Sequence, residues 1–144
     1  MFVTRKMDYG LRILLILGCR PNERMTSEAL AEAIDVPRQF TLKIAQALTK
    51  AGLIKAQRGV GGGIQLAREP KSITLLDVYS LSDTPRALNE CLLNPAACKR
   101  TNYCAPHHEL RKIQERLDEA LKQITLATLI RNQSILDASR TASA

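Results

Sequence analysis

At 144 residues the chain has room for one domain, or for one domain carrying a long appended helix. Hydrophobic residues make up 45% and aromatics only 3%, with no Trp, so the core must be aliphatic, which suits packed helices better than a β-sandwich. The formal charge is +7, and the longest apolar stretch, Ile13 to Leu17, is far too short to span a bilayer. Arg12 interrupts the N-terminal apolar region, no leader is expected, and the cytoplasm is the default location.

Taken in order, residues 7–19 read as a helix that is apolar almost all round, with Met7, Leu11, Leu14, Leu15 and Gly18 on one side; Pro21 and Asn22 end it. Cys19, in this apolar helix, reads as a small buried hydrophobe. Thr26-Ser27-Glu28 supplies a cap and a first-turn acid for a short helix to about Ala33. Ile34-Asp35-Val36 makes a turn, and Pro37 suits the first position of a third helix running to about Ala51. Phe40, Ile44, Ala47 and Leu48 form the expected apolar stripe of that helix, and Gly52 stops it. Two helices joined by so short a turn are a helix-turn-helix candidate.

Leu53 to Gln57 and Ile64 to Ala67 read as two strands around Arg58-Gly59-Val60-Gly61-Gly62-Gly63. The glycines are not a P-loop, because no Lys-Ser/Thr pair follows and the loop joins strand to strand. A glycine hairpin after a helix-turn-helix, with Arg at its base, is the wing of a winged helix. From Val36 to Arg68 there are six basic residues (Arg38, Lys43, Lys50, Lys55, Arg58, Arg68) and no acid, a distribution that can displace counterions from phosphates. These features point to DNA binding.

Thr74 to Asp77 has capping-box logic and opens a helix to about Leu81. Residues 83–106, with Pro85, Pro95 and Pro106, read as mostly loop. From His107 or His108 a long helix runs to about Ile124, with Leu110, Ile113, Leu117, Ala120 and Ile124 in a heptad-like seam and Leu121 beside it. Charged residues fill almost every other position, so the seam is expected to be a two-fold dimer contact. Residues 124–130 pack back on the domain, and 131–144 read as a polar, mobile tail.

Three of the four cysteines, Cys91, Cys98 and Cys104, fall within fourteen residues, spaced C-x6-C-x5-C, and His107 follows at C-x2-H. In a reducing compartment such a cluster is more often a metal or redox site than a disulfide framework. Thiolates hold iron–sulfur clusters or zinc, and three of them leave one position for another ligand. No catalytic constellation is visible.

Asp8-Tyr9-Gly10-Leu11-Arg12, Leu30-Ala31-Glu32, the wing sequence, Ile73-Thr74-Leu75-Leu76-Asp77-Val78 and the cysteine triplet together resemble the Rrf-type winged-helix transcription regulators over about residues 1–131. The resemblance implies a mainly α fold: a winged helix-turn-helix with a two-stranded wing over 1–82, a cluster-binding loop over 83–106, and a dimerisation helix with its packing segment over 107–131, before a tail over 132–144. It implies a cytoplasmic homodimer whose promoter binding is controlled by an iron–sulfur cluster sensing nitric oxide, redox state or iron and cluster supply. In IscR-like members the triplet is completed by a His at the place of His107, around a 2Fe–2S cluster. In NsrR-like members it is completed by an Asp of the partner chain at the place of Asp8, around a 4Fe–4S cluster. The first cysteine gap is one residue longer than in IscR-like sequences, and the preference here is for Asp8 and 4Fe–4S. On the DNA side, Arg38, Gln39 and Thr41 are expected at base edges and Lys43 at phosphates or bases. Arg58, Gly59 and Gly61 form the wing contact, and the operator is pseudo-palindromic. Two rivals stay open: a zinc-stabilised DNA-binding module without sensing, and an iron–sulfur carrier or redox subunit.

Overall fold

A computed structural model describes residues 4–81 and 87–142; the expected boundary at Ser82 and Pro85 in the expected loop lie outside them. Helix α1 spans Arg5–Cys19, two residues earlier than its apolar period begins. Thr4 caps it, its hydroxyl accepting from the Met7 amide at 3.3 Å. Helix α2 (Ser27–Ile34) is capped by Thr26, which accepts from the Ala29 amide at 3.1 Å. Asp35 then takes a left-handed conformation, φ 54°, which turns the chain into α3 (Arg38–Lys50). Pro37 stands at the cap itself, one place before the first helical position expected for it.

Strands β1 (Ile54–Gln57) and β2 (Gly63–Leu66) pair antiparallel, with Ile54 opposite Leu66 and Gln57 opposite Gly63. Met25, just before α2, pairs with Ile64 on the other edge of β2, its amide donating at 3.0 Å and its carbonyl accepting at 2.8 Å. The wing is thereby tied to the helix-turn-helix. Helix α4 (Leu75–Tyr79) opens on a complete capping box: the Asp77 amide donates to Thr74 Oγ1 at 3.2 Å and the Thr74 amide to Asp77 Oδ2 at 2.8 Å.

Ile13, Leu14, Leu30, Leu48, Leu53, Ile54 and Ile73 are almost wholly removed from water and join α1, α2, α3 and the hairpin in one core. Each such side chain contributes about 1.5–3 kcal/mol of burial.

Residues 87–106, the described part of the stretch expected to be loop, contain short helical turns. Helix α5 (Glu90–Leu93) is capped by Asn89, and single 3₁₀ turns follow at Pro95–Ala97 and Thr101–Tyr103. Prolines are compatible with the first turn of a helix, which is why Pro95 and Pro106 start turns here rather than only breaking them. Helix α6 spans Ala105–Gln123. Ile124 is its cap, not a seam position inside it, and its carbonyl accepts from the Leu75 amide at 2.9 Å while the Leu126 amide donates to the Ile73 carbonyl at 2.8 Å.

Much of the stretch read as a polar tail is helical among the described residues: α7 runs Leu126–Ala142. Its first half docks on α1, where a Cβ on Gly18 would lie 2.5 Å from Ile130 Cδ1. No helix among the described residues is long and apolar enough to cross a membrane.

Candidate nucleic-acid interface and cysteine site

Helix α3 turns Thr41, Ile44, Ala45 and Leu48 inward. Thr41 is fully buried, its hydroxyl placed to donate to the Val36 and Pro37 carbonyls at 3.4 Å each, so the expectation that it reaches base edges is corrected. Phe40, expected in the core, is 58% exposed and lines an open groove against Arg5, Tyr9 and Pro37. The outward line of α3 consists of Gln39, Lys43, Gln46 and Lys50, all exposed and spaced by four, three and four residues. Gln46 was not singled out from the sequence, although its position three residues after Lys43 places it on the same face. Arg38 sits on the flank toward α2, its Nη2 2.6 Å from Glu28 Oε1.

At the wing, Gly59 and Gly61 have φ of 94° and 73°, which a side chain would strain, and open space surrounds both. Val60 at the tip is fully exposed, and Arg58 is exposed at the end of β1. Gly62 is required for space: a Cβ there would lie 2.3 Å from the Gln57 carbonyl oxygen. Arg24 also reaches the wing, donating from Nη1 to the Gly61 carbonyl at 3.1 Å. No sequence signal marked it, because its partners lie more than thirty residues away.

The cysteine region surrounds the start of α6. Among the nineteen residues of that helix only His107 is buried, and its Nδ1 lies 3.3 Å from Cys91 Sγ. Cys91 stands in α5, Cys98 ends the first 3₁₀ turn and is exposed, and Cys104 is the half-buried cap of α6. His108 points elsewhere, its Nε2 donating to the Asn102 carbonyl at 3.3 Å. Asp8 is paired with Arg12 within α1 at 3.0 Å. Among the described residues no three His, Cys, Asp or Glu side chains gather closely enough to hold a metal ion. The donor types suit a cluster or zinc, and one pair of them, Cys91 and His107, is already together.

Cys19 is exposed at the end of α1, correcting the buried position expected for it. Partial desolvation, and then the Asp137 carboxylate, push its thiol up.

Along the rest of α6, Leu110, Leu117 and Leu121 are half-covered, while Ile113 is 51% exposed, and Ile124 just beyond the helix is also exposed. The apolar stripe is thus only partly satisfied by its own chain.

A glycine-tipped two-stranded wing beside a helix-turn-helix with a basic outer face defines a winged-helix DNA-binding protein. The chain belongs to the Rrf2 family, described as iron-dependent transcriptional regulators, whose model matches residues 3–132. It is 30% identical over 147 residues to the HTH-type transcriptional regulator NsrR of Shouchella clausii, covering 96% of this chain and 94% of that one. Its structure resembles that of CymR, the global cysteine regulator of B. subtilis, with TM-score 0.72 and 26% identity over 92% of this chain and 98% of the other. The fold also matches IscR of T. potens, with TM-score 0.74 and 24% identity over 92% and 88% of the two chains. The Rrf2 family and its NsrR member are transcription regulators, not enzymes.

Proposed function

We propose that this DNA-binding regulator acts as a homodimer whose promoter affinity is set by an iron–sulfur cluster held by Cys91, Cys98 and Cys104. The observation that carries the proposal is the buried His107 imidazole against the Cys91 thiol, at the start of the helix that bears the open apolar stripe. A ligand site there would be coupled by direct contact to the element that sets the dimer. The family's description as iron-dependent regulators supports iron over zinc.

His107 is the fourth ligand that this contact favours, and the resemblance to IscR-like members then implies a 2Fe–2S cluster. Asp8 from the partner subunit, with a 4Fe–4S cluster, is the second reading; it rests on the resemblance to NsrR-like members and on the half-exposed Asp8 carboxylate. A bound cluster would supply a centre sensitive to oxidants, nitric oxide and iron supply. The chain's own part is to bring Cys98 and Cys104 toward the Cys91–His107 pair, which repositions the short turns before α6. Such movement is how a local ligand event biases a distant equilibrium. On the DNA side, Gln39, Lys43 and Arg38 would enter the major groove, with Arg58, Gly59 and Gly61 at the adjacent minor groove.

Protein purified without oxygen should be coloured and contain iron and acid-labile sulfide, and Cys98→Ala should be colourless. His107→Ala and Asp8→Ala, compared by absorption and native mass spectrometry, identify the fourth ligand. Colourless wild-type protein with stoichiometric zinc would overturn the cluster. A footprint showing one asymmetric half-site would overturn the dimer.

A further inference from the structure

Arg24 lies on the connection between α1 and α2, directly before the Met25 backbone that pairs with Ile64 of β2. Its guanidinium spans the hairpin. Nη1 donates to Gln57 Oε1 at the end of β1 and to the Gly61 carbonyl in the turn, and Nε donates to Gln65 Oε1 on β2 at 3.2 Å. None of these partners is an acid. The fit is close on the strand side as well, since a Cβ on Gly63 would lie 2.9 Å from Arg24 Cβ. One side chain, rooted beside the helix-turn-helix, therefore touches both strands and the tip of the wing.

Glycine is the residue with the most backbone freedom, two left-handed glycines stand at this tip with no side chain to pack, and a binding loop that must be ordered on contact loses affinity. Arg supplies several N–H donors in a fixed planar fork, which Lys cannot reproduce. We infer that Arg24 is the positioning residue of the wing, holding the Gly59–Gly63 turn against the helix-turn-helix so that Arg58 meets DNA in a preset place. This rests on the proposed contact between the wing and DNA.

The test uses a labelled duplex that the wild-type protein selects from a random pool, with affinity measured over a range of salt concentrations. Arg24→Lys keeps the charge and removes the fork. It should lose roughly three- to tenfold in affinity with an unchanged salt slope. That loss should largely vanish when Arg58→Ala is already present. In the free protein, Arg24→Lys should also speed hydrogen exchange at the Gly62 amide, which donates to the Gly59 carbonyl at 2.9 Å, without changing the melting temperature.

Wild-type binding by Arg24→Lys, with a weakened Arg24→Ala of lower salt slope, would make Arg24 a simple phosphate contact and overturn the inference. So would an Arg24→Lys loss that persists in full beside Arg58→Ala. Wild-type affinity and salt slope in Arg58→Ala would instead overturn the wing contact itself, and the inference with it.

Discussion

The Arg38 guanidinium lies 2.6 Å from the Glu28 carboxylate, so the first cation of α3 is held by the helix that precedes it. An acid at this edge both occupies Arg38 and repels phosphate. Glu28→Gln should therefore tighten DNA binding roughly two- to fivefold, since an exposed pair of this kind is modest in strength. Fluorescence anisotropy at fixed ionic strength decides it, and weaker binding would contradict the arrangement. The pH dependence has a defined sign. The Glu28 carboxyl is held below the usual range, first by hydrogen bonds from its own backbone amide and from Ser27, and also by Arg38. A carboxyl lowered on folding stabilises the protein above its unfolded value, about 4.3, and the contribution fades as pH falls through the lower folded value. The melting-temperature gap between wild type and Glu28→Gln should accordingly be present at neutral pH and close in acid.

The inward Thr41 and the outward Gln46 make opposite predictions. Thr41→Val should leave base preference unchanged and cost about 1 kcal/mol of stability through the lost hydroxyl contacts. Gln39→Ala and Gln46→Ala should each relax preference at one position by about tenfold, with little effect on stability. Selection from a random duplex pool, paired with thermal melts, separates these effects.

Gly62 has no room for a methyl group, because the obstructing atoms are the backbone oxygens of Gln57 and Gly59. Gly62→Ala must reshape the turn. DNA affinity should fall by about tenfold or more, exceeding the loss in Arg58→Ala. Wild-type binding by Gly62→Ala would show that the shape of the wing is irrelevant.

Ile113 leaves half its surface uncovered in the middle of α6. If a second copy covers it, Ile113→Asp buries a charge at the centre of that contact and should weaken dimerisation at least about thirtyfold. Sedimentation velocity across a concentration series reads this directly. A variant that stays dimeric would move the interface elsewhere.

The parts of the fold set by local chemistry were legible in the sequence. Thr26 and Thr74 cap because a hydroxyl can accept a free helix amide, Gly52 stops α3 with φ 70°, and Gly59 and Gly61 of the wing take positive φ. Thr41 and Phe40 were exchanged because apolar periodicity takes Phe as buried and Thr as surface. Near the start of a helix, however, a buried hydroxyl can satisfy itself on the preceding carbonyls, here those of Val36 and Pro37. The last helix was missed because 131–142 carries little apolar pattern. Its residues are adequate helix formers, and side-chain bonds such as Gln133 to Asp137 at 2.9 Å support the turns. At the cysteine site, spacing identified the donor types and put His107 among them. It could not show that Cys91 and His107 meet, because that convergence depends on how α5 lies against α6; the Asp8–Arg12 pair, by contrast, follows from i,i+4 spacing within one helix.

The most direct test is the operator affinity of one protein preparation, divided and measured anaerobically with its cluster loaded and again after the cluster is removed. Coupling predicts affinities differing by about tenfold or more, with the difference abolished in Cys98→Ala. Equal affinities in the loaded and stripped wild-type protein would contradict control of DNA binding by the cysteine site.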